Sequence, residues 1–304
     1  MKKNIVALAV AAAISAPVAM AGAPTVYGKL NMAIQTDADT ATGGTTVDSV
    51  ASRFGVKGSE DLGNGLKAVY KVEFGMHIDG DDNGLSARNQ YVGLKGGFGT
   101  VLMGSHDTPL KMIQPSDLFN DGMADNNKMI EGSHGEDRAD NVVAYVSPSF
   151  SGVKIIAAGV ADDQTSGADS SLTDTTSIAI AYGSKKKGLY LAAAQNSTSG
   201  ADNETRLAAQ YKANGLVANA ISHKTGSDSA IVINAGYKMG KMMPKIKWAD
   251  NTGGVDGTYT AVGLDYSLGK KTKAYVDIMN RDTAAQDAGA KASTTTSVGL
   301  IHKF

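Results

Sequence analysis

The strongest constraint in this sequence is a two-residue alternation of apolar and polar side chains that starts at Thr25 and recurs to the last residue. In the first segment Val26, Gly28, Leu30, Met32 and Ile34 share one parity, and Thr25, Tyr27, Lys29, Asn31 and Gln35 share the other. A later segment sets Leu66, Ala68, Tyr70, Val72 and Phe74 against Lys67, Lys71 and Glu73. Alternation of this kind predicts strands with one apolar face. Sixteen segments fit, near 25–35, 50–60, 65–76, 86–95, 99–105, 139–147, 152–161, 175–183, 188–196, 204–213, 215–223, 229–238, 241–249, 258–267, 271–280 and 294–304. The thirteenth contains Pro244, which has no amide hydrogen for a ladder.

The connections narrow the architecture further. Short turns (62–64, 96–98, 148–151, 184–187, 214, 239–240 and 268–270) alternate with longer polar segments (36–49, 77–85, 105–138, 162–174, 197–203, 224–228, 250–257 and 281–293). An even-stranded up-and-down barrel requires this alternation, with all turns at one rim and all loops at the other. An open sheet of this length would expose two aggregating edges. No helices are available to cover the apolar faces, but lipid can cover them if neighbouring strands satisfy every backbone group. The expected fold is therefore all-β: a transmembrane antiparallel barrel of sixteen strands, wide enough for an aqueous channel. Strands of about 9–11 residues cross a membrane with little trace in mean hydropathy.

The N-terminus has a separate purpose. Lys2 and Lys3 precede an apolar run from Ile5 to Ala16, and Ala19-Met20-Ala21 forms a small-x-small cleavage site. Residues 1–21 read as a cleaved signal peptide, and 22–304 as one exported domain. With 29 basic and 30 acidic residues the chain is too near neutral to suggest nucleic acid as a partner. It has no cysteine, so stability must come from size and backbone hydrogen bonding.

One connection stands apart. Between Ser105 and Asp137 neither period is present, and a structureless stretch of that length is usually a functional loop or disorder. It carries Asp107, Asp117, Asp121, Asp125, Glu131, Glu136 and Asp137 against only Lys111 and Lys128. It also carries Met112, Ile113, Leu118, Phe119, Met123, Met129 and Ile130, anchors that a solvated tail would not need. We expect this loop to pack into the barrel with its acids facing water.

Several stretches resemble the general diffusion porins of Gram-negative outer membranes. They are Val26-Tyr27-Gly28-Lys29-Leu30, Ser52-Arg53-Phe54-Gly55-Val56-Lys57-Gly58-Ser59-Glu60-Asp61-Leu62-Gly63, Arg88-Asn89-Gln90-Tyr91-Val92-Gly93-Leu94 and Arg138-Ala139-Asp140-Asn141-Val142-Val143-Ala144-Tyr145, together with the terminal Phe304. The resemblance implies a trimer of sixteen-stranded barrels in contact with lipid and lipopolysaccharide. It also implies a third long loop folded into the lumen and passive passage of ions and small hydrophilic solutes, with no cofactor. A ladder of wall cations facing loop acids is implied at Lys29, Arg53, Arg88 and Arg138, with Asp117 and Asp121 as the acids. One departure is Ser105, where an arginine commonly stands. The loop's acid excess leads us to expect a modest cation preference.

Other motifs carry less. Asp79, Asp81 and Asn83 imitate the opening of an EF-hand, but position twelve is Gln90 and no helices flank it. A hydrophilic loop tip is the simpler reading, with an adventitious Ca²⁺ site as the alternative. No nucleophile elbow or other catalytic constellation is present. A solute-specific channel is the nearest rival reading, and an outer-membrane barrel hydrolase or adhesin the next.

Overall fold

The computed structural model describes residues 23–37, 44–80, 84–119, 121–130, 138–161, 171–253, 257–282 and 294–304. The signal-peptide residues lie outside this set, as do Asp81, Asn83, Glu131, Glu136 and Asp137. The strands are β1 (Thr25–Asp37), β2 (Thr45–Ser49), β3 (Ser52–Gly63), β4 (Leu66–Met76), β5 (Leu85–Gly96), β6 (Gly99–Asp107), β7 (Arg138–Val146) and β8 (Val153–Val160). They continue with β9 (Thr175–Gly183), β10 (Gly188–Thr198), β11 (Glu204–Ala213), β12 (Leu216–Thr225), β13 (Asp228–Tyr237), β14 (Met242–Thr252), β15 (Gly257–Ser267), β16 (Thr272–Arg281) and β17 (Thr294–Lys303).

Apart from β2 and β3, which both lie against β1, each strand pairs antiparallel with its chain neighbours, and β1 also pairs with β17, so the sheet closes. Together β2 and β3 are one strand broken by a bulge at Val50-Ala51, where Ala51 has φ 49°. The Ser52 hydroxyl bridges the break, accepting from the Asn31 amide at 3.0 Å and donating to its carbonyl at 3.2 Å. The barrel therefore has sixteen strands. That bulge is also why the first long connection is shorter than expected: residues 45–49 belong to the wall.

Closure is sealed at the C-terminus. Phe304 and Gly28 exchange backbone hydrogen bonds at 3.1 and 3.3 Å. The Phe304 ring lies over Gly28, where a Cβ would stand 2.3 Å from Cζ. Two of the tight turns need positive φ at both central residues. Asn64-Gly65 (52° and 76°) and Asn214-Gly215 (51° and 85°) supply the residue types that tolerate it.

Pro244 sits inside β14 but costs the sheet little. The β13–β14 ladder runs to Gly236↔Lys245 and resumes in the same register at Met239↔Met242, so one gap falls opposite Tyr237.

The wall is inverted relative to a soluble sheet. Ile178, Ile180, Leu191, Leu207, Ile231, Ile233, Val262, Ile278, Val298 and Leu300 are exposed on the outer parity. The inner parity buries Asn31, Arg206, Gln210, Asn219, Asn234 and Lys247. With all ladders closed, apolar surface outside and polar groups inside suit a hydrocarbon surround.

Candidate functional site

The connection between β6 and β7 is anchored in two places. Thr108 caps a short helix α1 (Pro109–Met112), its hydroxyl accepting from the Lys111 amide at 3.3 Å, and Pro109 opens the helix with no amide to lose. Leu110 and Ile113, both fully buried, pack on Ile156, Ala179, Ala194 and Ala208, where alanines leave room on the inward parity. Wall side chains also serve the loop backbone. Tyr190 donates to the Ile113 carbonyl at 3.0 Å, and Gln210 accepts from the Ser116 amide at 2.9 Å.

The second anchor lies farther round the ring. Phe119, Met123, Ala124 and Ile130 pack on Ile221, Val232, Ala249, Tyr259, Ala261 and Met279. A Cβ on Gly236 would stand 2.9 Å from Leu118 Cδ1, and one on Gly263 would stand 3.1 Å from Phe119 Cε1. These two glycines seat the loop. A second short helix, α2 (Asn126–Met129), is capped by Asp125, which accepts from the Asn127 amide at 2.9 Å.

Asp117 does not face water, contrary to expectation. Its side chain is only 1% exposed and pairs at 2.6 Å with Lys247, which is fully buried. Lys247 also donates to the Ala124 carbonyl at 2.6 Å and to Asn126 Oδ1 at 2.7 Å. Asp117 further accepts the Phe119 and Asn126 amides at 2.9 and 2.7 Å. It acts as a strut for the loop, since its partners among the described residues are loop amides and Lys247, and it also lines the space beside Asp121.

Asp121 is placed differently. It adopts φ 67° and forms ion pairs with Lys29 and, at 3.0 Å, with Arg53. Its backbone amide donates to Asp125. Burial acts to raise the Asp121 carboxyl, but the Arg53 and Lys29 cations outweigh it and hold the group below the usual carboxylate range. Asp125 moves the other way: burial first, then the Asp117 charge, push it up to about 6. A carboxyl raised on folding binds its proton more tightly in the docked loop. Docking is thus unpenalised below its unfolded pKa near 4 and loses stability as pH rises toward 6. Open-channel current noise from loop motion should fall as pH is lowered from 7 to 4, and Asp125→Asn should make it flat. A noise profile unchanged by that substitution contradicts the assignment.

The other wall cations are also paired. The β4–β5 register shifts between Val72 and Phe74, so Arg88 and Asn89 both stand opposite Glu73. This bulge turns Arg88 onto Glu73, with Nε 2.8 Å from Oε1. Tyr27 and Lys71 reach the other Glu73 oxygen at 2.7 and 3.2 Å. Arg138 pairs with Asp107 at 3.1 Å and donates to Asn89 Oδ1 at 2.7 Å.

Two cavities flank the loop. One of about 570 Å³ reaches Lys245, Lys273, Tyr275, Asp277 and Lys303. The other, about 750 Å³, reaches Arg88, Asp107, Lys111, Lys128, Arg138 and Lys185. Arg53, Pro115, Asp121 and Gly122 line both. Four residues thus stand where the two spaces meet.

A closed inverted barrel with this charged interior has a counterpart among known proteins: the family model for Gram-negative porins matches residues 7–286. The chain belongs to that family. It is 30% identical over 347 residues to the major outer membrane protein P.IB of Neisseria meningitidis serogroup B, covering all of both chains. Its fold is similar to an anion-selective porin from Comamonas acidovorans (TM-score 0.72, 22% identity, 93% of this chain and all of that one). It is also similar to OmpT of Vibrio cholerae in its trimer form (TM-score 0.66, 16% identity, 94% of this chain and all of that one). This porin is an outer-membrane barrel that forms a passive, water-filled channel.

The porin's interior holds charges beyond the expected ladder. Lys245 bridges Asp265 at 3.0 Å and Asp277 at 2.9 Å, and Lys273 pairs with Asp265 at 2.5 Å. The signal for Lys245 and Lys247 was their shared parity, between the outward Ile246 and Trp248. Ser105 is not a vacant ladder position. It shares a parity with the exposed Met103 and lines an outer groove with Asp140 and Asn141. Of the candidate Ca²⁺ ligands, Asp79 accepts the Ser49 amide at 2.6 Å, and Asp81 and Asn83 lie outside the described residues.

Proposed function

We propose that the porin's neck lies where residues 115–122 cross the lumen, and that Lys29, Arg53 and Asp121 form its rim. The observation that carries this reading is the sharing of Arg53, Pro115, Asp121 and Gly122 by the two flanking cavities. A segment anchored on both β8–β11 and β12–β16, and ion-paired to β1 and β3, must run through the interior of a closed ring. Opposed charges across such a neck order water and dipolar solutes, which favours small hydrophilic permeants over apolar ones.

The ladder residues keep their proposed places, with Arg88 and Arg138 on the loop-rim side of the neck. Asp117 is reassigned to the anchor. The preferred ion changes as well. Ten cations and five acids line the two cavities among the described residues, which supports a modest preference for anions rather than the expected one for cations. The expectation of a cation preference rested on the loop's acid excess, and two of those acids are engaged elsewhere: Asp117 pairs with Lys247 and Asp125 caps α2.

The functional protein is proposed to be a homotrimer seated in lipid and lipopolysaccharide and exported by residues 1–21. The trimer form of OmpT supports this assembly by fold alone. Purified protein should show ohmic current steps in a planar bilayer and migrate as an SDS-resistant oligomer until boiled. A lipid-inserted protein that passes no current rejects the channel, and monomeric migration without heating rejects the trimer.

A further inference from the structure

Basic charge is concentrated on three turns of the turn-side rim, while the β3–β4 end of that rim carries the exposed Glu60 and Asp61. Three of the tight turns carry paired lysines: Lys186 and Lys187 between β9 and β10, Lys238 and Lys241 between β13 and β14, and Lys270 and Lys271 between β15 and β16. No acid occurs in any of the three. All six side chains are exposed, and none has a carboxylate partner among the described residues. At the opposite, loop-side rim Asp140, Asp202 and Asp282 are exposed, and so is Lys224.

The apolar wall next to these turns is equally regular. Tyr182, Tyr237 and Tyr266 are exposed on the outer face just before the three turns. Leu189, Met242 and Leu268 are exposed beside them. Tyrosines at this level mark the interface between hydrocarbon and headgroups, and the lysines stand one step beyond it, within reach of a phosphate.

We infer that these turns are a docking surface for anionic glycerophospholipid in the periplasmic leaflet. The inference rests on the membrane-spanning reading, which places short turns on the periplasmic side. Charge complementarity and continuity with the lipid-facing wall identify the occupant. The ring of each tyrosine lies against glycerol and acyl carbons, and the lysine pair takes the phosphate. A neutral or zwitterionic headgroup does not repay the loss of water around two ammonium groups. A lysine at an anionic surface is expected to contribute about a fivefold preference.

The test uses the complete protein refolded into phosphatidylcholine vesicles with trace spin-labelled lipid. Electron spin resonance then reads the motionally restricted fraction at the barrel wall. Spin-labelled phosphatidylglycerol should be enriched at least about fivefold over spin-labelled phosphatidylcholine at low salt. The preference should collapse at 1 M salt, where the Debye length is about 3 Å. Replacing all six lysines with glutamine should abolish it, and replacing them with arginine should preserve it. Should the glutamine variant not fold, the salt series on the unmodified protein decides alone. Wild-type protein that conducts current but shows no lipid preference overturns the docking and leaves the channel standing. So does a preference that survives either 1 M salt or the glutamine substitutions, since the contact would then lie elsewhere.

Discussion

Lys247→Met should widen the pore and leave the barrel intact. Lys247 is the only cation on Asp117 among the described residues, and both side chains are essentially dry. Removing one member of such a pair strands the other, at a cost of about 3–5 kcal/mol. That cost falls on the docked state of the loop, lowering its population relative to undocked forms by about two to nearly four powers of ten. Single-channel conductance and the solute exclusion limit should both rise, toward the values of a deletion of residues 115–125. The β-rich circular dichroism spectrum should not change, because the strand ladders do not include the loop. Asp117→Asn combined with Lys247→Met removes the stranded charge and should recover most of the narrow conductance. Unchanged conductance in Lys247→Met would show that the strut does not hold the constriction.

The barrel itself was legible because its physics is local. A strand that faces lipid on one side and water on the other must alternate, and a closed sheet must alternate turns with loops. Pro244 looked like a defect only because residue type says nothing about which ladder bond is missing. The Val50-Ala51 bulge was invisible for the same reason: the alternation slips by one residue, and sequence cannot say whether the slip is a loop or a kink in a continuing strand.

The site was legible only in part. Lys29, Arg53, Arg88 and Arg138 were named by the family resemblance; parity alone misplaces Arg88, which shares the parity of the outward Val92 and Leu94 until the bulge opposite Glu73 turns it. Their partners could not be placed, since Glu73, Asp107 and Asp121 come from three different elements that meet only when the ring closes. Asp117 and Asp121 are four residues apart and chemically alike, yet one is held by Lys247 within the anchor and the other pairs with Lys29 and Arg53. What separates them is the backbone between: Leu118 and Phe119 settle over Gly236 and Gly263, which turns Asp117 under the loop and presents Asp121 to Lys29 and Arg53. No local pattern encodes that choice.

The ion preference follows from the same placement and gives the sharpest reversal test. Under a KCl gradient at low salt, the zero-current potential of the unmodified protein should have the sign of chloride permeation. Three substitution sets separate the contributions. Asp121→Asn removes the acid that pairs with Lys29 and Arg53, so the preference for chloride should increase. Arg53→Gln with Arg88→Gln removes one cation from the neck rim and one from the loop-rim side, and Lys245→Gln with Lys273→Gln removes two from the turn-rim side; each pair should move the potential toward potassium. Combining both pairs subtracts four of the ten cations that line the cavities and should bring the potential close to zero or across it. Raising the salt should shrink all of these differences, because the Debye length near 0.1 M is about 10 Å, comparable with the distance across a neck of this kind. Potassium preference in the unmodified protein would mean that acids outside the described residues, Glu131, Glu136 or Asp137, dominate the neck, and the assignment of its charge to Arg53, Asp121 and their neighbours would fall.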